Sequence, residues 1–219
     1  MKELNLNHIV DEVVRRLQNE NDNENEGILV EASGRHVHLS KEHIELLFGK
    51  GYELTKKREL SQPGEYLCEE RVILIGPKAT IHNISVLGPA REESQVELSK
   101  TDAVSIGVNA PVKLSGNIQN SGAAIIATPL AAVRLDKGVI LAKRHIHITP
   151  YDAMRYDVAN NEEVDVKIGG ERGVIFTNVI IRVSDKFNTA LHLDYDEANA
   201  CGYTKGMRAS IVKRCSDAF

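Results

Sequence analysis

The chain has 219 residues, 42% of them hydrophobic, and a formal net charge of −4; it is long enough to bury a core without disulfide staples and offers no overall basic surface for nucleic acid. Its three cysteines, Cys68, Cys201 and Cys215, are an odd number at unrelated spacings, which argues against a disulfide framework or a cysteine-rich zinc knuckle and for a reducing, cytosolic setting. No apolar run approaches a membrane span, and the acidic residues of MKELNLNHIVDEVVRRLQ do not fit a secretory signal.

The first predicted element is a short amphipathic helix, with Leu6, Ile9, Val10, Val13 and Leu17 on one face at spacings of three and four. The polar stretch NENDNENEG follows as a tether, too rich in Asn, Asp and Glu to bury apolar surface. Such a helix either docks on its own domain or a dimer mate, or serves as a detachable targeting or assembly peptide. From Gly27 onward the pattern turns to short Val- and Ile-rich runs bounded by Gly, Pro, Asn or Asp, such as GILVEA, RVILIG, SQVELS and GVIFTNVIIRV. These predict β-strands joined by tight turns, and without long intervening helices they favour small barrels or sandwiches over a parallel sheet.

Two brief helices are predicted among the strands. SKEHIELLFGKG offers Ser40 as N-cap, an apolar face of Ile44, Leu47 and Phe48, and Gly49 or Gly51 as the stop. TPYDAMRYDV offers Thr149 as N-cap, Pro150 at the first helical position and Asp152 at the capping-box position. Each helix follows directly on a strand carrying a pair of histidines, His36 with His38 and His145 with His147, and this shared layout suggests a duplication.

Alternate residues of a strand share a face, so each pair projects two imidazoles together. Neutral imidazole is a good ligand for zinc and similar ions, although either pair taken alone also fits ordinary partly buried histidines. His192 sits in an alternating strand before a helix that Asp194 can cap and Gly202 can end, and Glu97 alternates with Val96 and Leu98. From its own segment Glu97 reads as a solvated strand residue before it reads as a ligand, and His8, His43 and His82 read as surface or packing histidines. VLGPAREE places Arg91 on a Gly-Pro turn and LIGPKAT places Lys78 on another; backbone N–H groups with a cation beside them suit a phosphate, as an unremarkable surface loop also would.

Taken in order, SGRHVHLSKEHIELLFGKGYELT, LSQPGEY, GPKATI, VLGPAREESQVELSKTDA, APVKLSGN, AKRHIHIT and DEANACG closely resemble the phosphate propanoyltransferases, the PduL-type phosphotransacylases. The resemblance runs from about Gly27 to the C-terminus. It implies reversible conversion of a short-chain acyl-CoA, propanoyl-CoA or acetyl-CoA, and phosphate to acyl phosphate and CoA. It also implies two Zn2+ per chain, one on His36, His38 and Glu97 and one on His145, His147 and His192, with Arg91 on phosphate and Ser33, Lys78 and Asn199 on CoA.

The implied fold is mainly β, two small β-barrels capped by short helices with the site between them. Residues 27–66 with 143–219 are expected to form one discontinuous barrel and residues 67–142 the other, with residues 1–26 as the N-terminal helix and linker. Ser85 stands where the family often carries arginine, so a basic CoA contact is lost or replaced there. The resemblance further implies a homo-oligomer, a dimer or higher, without nucleic-acid or membrane partners. Residues 3–18 resemble the peptide that directs such enzymes into bacterial microcompartments, as in propanediol degradation, where shell or core proteins would be partners. Direct attack of phosphate, with no acyl-enzyme, is the expected mechanism. The rivals are a dinuclear zinc hydrolase, recognisable by metal-dependent ester cleavage without CoA, and a zinc-stabilised assembly protein without activity.

Overall fold

A computed structural model describes residues 27–212; the predicted N-terminal helix, its tether and Cys215 lie outside the described residues. The strands close into two rings of six. One contains β1 (Ile28–Ala32), β13 (Ala190–Leu193), β10 (His145–Ile148), β12 (Val174–Val183), β11 (Glu163–Ile168) and β14 (Arg208–Val212), which returns to β1. The other contains β2 (His36–Ser40), β5 (Thr80–Arg91), β4 (Tyr66–Ile75), β8 (Gly122–Ala127), β9 (Ala132–Ala142) and β6 (Gln95–Leu98), which returns to β2. Short strands β3 (Lys56–Glu59) and β7 (Val112–Lys113) are added beside β4 and β9. The fold is mainly β, as expected, and closure leaves few free strand edges.

The division of the chain between the rings differs from the expected one. Strand β2 was expected in the ring with the C-terminal third, but its backbone pairs with β5 and β6, and Val37 and Leu39 are fully buried in the core of the other barrel. Among the described residues only β1 crosses from the N-terminal side into the C-terminal ring.

The two rings match strand for strand. In each, a histidine strand (β2 or β10) lies between a parallel partner (β5 or β12) and an antiparallel one (β6 or β13). The circuit continues antiparallel through β4 or β11, then β8 or β14, then β9 or β1, which runs parallel to β6 or β13. The layout shared by the histidine segments therefore extends to the whole barrel. The chain is a tandem repeat in which the first strand of each copy, β1 or β9, is built into the other copy's ring.

Alternation fills each barrel. Val37, Leu39, Ile84, Val86, Val96 and Leu98 point into one core; Ile146, Ile148, Val179, Ile181, Leu191 and Leu193 point into the other. His36, His38, His145, His147, Glu97 and His192 occupy the opposite faces of the same strands. Among the described residues four helices cap the barrels: α1 (Lys41–Phe48), α2 (Lys100–Ile106), α3 (Pro150–Tyr156) and α4 (Tyr195–Ala200).

Ser40 caps α1 and Gly49 ends it at φ 116°, Thr149 caps α3, and Asp194 caps α4 in a full capping box with Glu197, while Gly202 follows α4 at φ 64°. For α3 the box is completed indirectly: Thr189 accepts from the Thr149 N–H at 3.3 Å and donates to Asp152. The Ser99 cap of α2 was not anticipated. Among the described residues no helix is long and apolar enough to cross a membrane.

Candidate active site

The first group forms where β2 and β6 pair with His36 opposite Glu97. The His36 and His38 rings stand edge to face with centroids 5.0 Å apart, and His36 Nε2 lies 3.6 Å from a Glu97 oxygen. A carbonyl can only accept, so the 2.8 Å contact from His36 Nδ1 to the Gly34 carbonyl places a proton on Nδ1 and turns Nε2 towards Glu97. Glu97 is buried and accepts at 2.6 Å from Gln95 Nε2, so it is no solvated strand residue.

The second group repeats this geometry. On β10 and β13, His145 lies opposite His192 with parallel rings 5.1 Å apart, and His147 closes the triangle at 4.6 and 4.8 Å. His145 Nδ1 donates to the Lys143 carbonyl at 2.9 Å, two residues back, as His36 does to Gly34. In both groups the ligand atoms lie within 4.8 Å of one another.

The donor sets suit a divalent metal. Nδ1 of His38 and both ring nitrogens of His147 are buried without a hydrogen-bond partner, an arrangement that is costly unless something else takes the lone pairs. Burial pushes the pKa of His38 well below the ordinary value, and burial reinforced by neighbouring histidines lowers His147; His145 is pushed down to about 4 by burial and by His192. His192 is also pushed down to about 4, by burial above all, so these four rings stay neutral and keep lone pairs available at pH 7. Burial alone would raise Glu97, but His36, a Ser115 hydrogen bond and Arg91 outweigh it and hold the carboxylate ionised.

Both groups line one cleft of about 720 Å3. Arg91, Ser33 and Ser85 line it too, Ser85 opposite His36. Arg91 is held by Glu65 at 3.3 Å and Ser115 at 3.2 Å. Its setting is not the Gly-Pro turn that was expected. Strand β5 continues through Pro89 to Arg91, taking four residues from Leu87 to Arg91 against two on β2 from His38 to Ser40, and this bulge swings Arg91 into the cleft. Lys78 and Asn199 are exposed and are not among the residues lining the cleft; the Lys78 stem lies against Gly107. His43 is a packing histidine, 2.7 Å from Ser94, and His82 is exposed beside Thr80.

Sequence reasoning missed several cleft residues. Gln62, in the LSQPGEY motif, sits 3.3 Å from His192 Nε2 and is pinned by the Asn188 backbone at 3.0 and 3.2 Å, so this loop ties one barrel to the other. Glu31 of β1 lies 3.6 Å from His192 Nε2. Phe187 stacks on His147 at 4.0 Å, and Arg182 of β12 lies opposite His147. No local signal marks these residues; the LSQPGEY motif was visible, without a role.

A family model described as phosphate propanoyltransferase matches residues 29–204. This chain belongs to the phosphate propanoyltransferase family. It is 53% identical to a phosphate propanoyltransferase of Clostridioides difficile over 95% of this chain and 98% of the relative. The corresponding figures are 49%, 95% and 96% for one of Listeria monocytogenes, and 46%, 94% and 96% for one of Thermotoga maritima. The protein is accordingly an acyltransferase that uses phosphate.

Proposed function

We propose that this protein converts propanoyl-CoA or acetyl-CoA and inorganic phosphate reversibly to the acyl phosphate and CoA, at a site holding two Zn2+ per chain. One ion is assigned to His36, His38 and Glu97, the other to His145, His147 and His192. The observation that carries this reading is the meeting of two close-set ligand groups, one buried and one partly buried, each with an unpartnered buried imidazole nitrogen, in one cleft beside Arg91.

Bound there, zinc supplies Lewis acidity towards a thioester carbonyl and a soft partner for the departing sulfur. Arg91, already oriented by Glu65 and Ser115, holds the phosphate dianion for attack. A phosphate oxygen bonds to the carbonyl carbon, the carbon–sulfur bond breaks, and the proton given up by phosphate ends on the CoA thiol. No covalent acyl-enzyme is needed. Cys68 and Cys201 are buried, and burial pushes both thiols up, Cys68 to about 11, which suits packing and not nucleophilic attack.

Ser33 is assigned to CoA within the cleft, and Lys78 and Asn199 to outer parts of a ligand longer than the cleft. Arg58, which lines the same cleft as Ser85, offers a cation to replace the arginine that the family often carries at that position. The same reading makes the protein a homo-oligomer of the cytoplasm or of a microcompartment, with residues 3–18 engaging shell or core proteins. Deleting residues 1–26 is expected to abolish packaging and spare activity.

The test is CoA release by the purified full chain with each acyl-CoA. Release that requires phosphate and yields acyl phosphate is expected, and the rate ratio names the preferred acyl group. Acyl-CoA or ester cleavage without phosphate would favour the hydrolase, and an inert zinc-loaded protein the assembly reading.

A further inference from the structure

The rings match position by position, so each residue of one repeat has a counterpart that shows what the fold alone requires. Across the parallel pairing of β10 and β12, His147 lies opposite Arg182; across that of β2 and β5, its counterpart His38 lies opposite Leu87. A leucine therefore satisfies the barrel at this position. The arginine is an addition in one copy, and folding does not explain it.

Arg182 lines the same cleft as both histidine groups and Arg91, and it is half-buried. Its side chain packs beside Phe187, with the guanidinium carbon 5.8 Å from the ring centroid, and among the described residues the guanidinium makes no hydrogen bond or ion pair. Arg91, by contrast, is already engaged on both terminal nitrogens. A guanidinium taken partly out of water with its donors unmatched is stabilised by an anion that uses them.

Resting on the phosphate acyltransferase reading above, we propose that Arg182 is a second phosphate-binding residue, gripping the reacting phosphate from the β12 side while Arg91 holds it from the β5 side. The anion is the reacting phosphate, and not one of the phosphates of CoA, because Arg182 sits directly opposite a residue of the histidine group in the strand register. Two arginines, one from each barrel, would fix the direction of attack, a positioning effect felt on phosphate alone.

The test uses the zinc-loaded full chain and Arg182→Leu, which copies the residue the other barrel accepts at this position. Arg182→Lys keeps the charge without the fork. Arg182→Leu is expected to raise KM for phosphate roughly tenfold or more and to leave KM for acyl-CoA near the parent value, with Arg182→Lys between. Titration calorimetry with inorganic phosphate alone should show the same weakening without turnover. A rise confined to KM for acyl-CoA would assign Arg182 to the phosphates of CoA, and loss of bound metal would make it a support for His147; either overturns the proposal, as does unchanged phosphate affinity. Failure of the parent to release CoA would instead count against the functional reading, and the phosphate titration would still decide the role of Arg182.

Discussion

Arg144 pairs with Glu197 at 3.2 Å, and Arg35 pairs with Asp102 at 2.8 Å. The two pairs are the same device. Each arginine directly precedes a histidine pair, and each carboxylate is the third residue of the helix that follows the strand carrying the third candidate ligand. Each bridge thus joins the start of one ligand strand to the end of its antiparallel partner. Burial, then Asp194, pushes Glu197 up to about 7, while Arg144 opposes that rise.

The sign follows from which form the bridge stabilises. Below pH 7 Glu197 is largely protonated and Arg144 gains little; above it the ionised carboxylate needs the guanidinium. Arg144→Met should therefore cost about 1–2 kcal/mol at pH 8, a drop in melting temperature of several degrees, and distinctly less at pH 5.5. Thermal melts at the two pH values decide this, and an equal loss at both would show that the arginine stem and not its charge matters.

The depressed histidines make a separate prediction for metal-free protein. His145 and His192 titrate near 4 in the fold against an ordinary value of 6.5, so below about pH 6.5 the unfolded chain binds protons that the folded one refuses. Stability gained from these rings is fully present above pH 6.5 and is lost as pH falls towards 4, by up to about 1.4 kcal/mol per pH unit per ring. Chelator-treated protein should melt progressively lower from pH 7 to pH 4.5, and added zinc should raise the melting point most near neutrality. A flat profile for the metal-free protein would mean the rings are more hydrated than the structure shows.

Much of this site was legible because its signals are local. Period-two spacing put each histidine pair on one face, and Ser40, Thr149 and Asp194 announced the helices that follow. Glu97 could not be settled that way, since only its buried position opposite His36 makes it a candidate ligand and not a solvated residue. Arg182 and Glu31 were invisible for the same reason: their neighbours arrive by pairing between strands far apart in sequence. The assignment of β2 to a ring failed likewise, because a strand's own residues do not say which of two similar barrels it completes. Pro89 suggested a turn, yet an exposed position at a bulge lets β5 run on through it.

Glu97→Gln separates charge from shape at the first metal group. The amide can keep a contact to Gln95 but no longer offers a carboxylate. Bound metal should fall from two ions per chain towards one, the second group being intact, and phosphate-dependent CoA release should drop by about a hundredfold or more. Metal content by atomic emission, alongside the rate, checks both; two ions retained with full activity would remove Glu97 from the ligand set.

The exchanged first strands carry the last prediction. Cutting the chain in the turn between β8 and β9 gives fragments 1–130 and 131–219. The first keeps β2 to β8 but lacks β9, and so leaves its own barrel one strand short while carrying β1, which belongs to the other. The second lacks β1 and carries β9 unused. An open barrel exposes two unpaired edges and part of its core, so neither fragment should fold alone despite holding a complete pair of ligand histidines. Mixed, the fragments can return β1 and β9 to their rings and rebuild both metal groups. Circular dichroism of each fragment, and zinc binding of the mixture, test this directly; a fragment that folds and binds zinc by itself would show that its own first strand can take the equivalent place in its ring, so that the exchange of β1 and β9 is not required for closure.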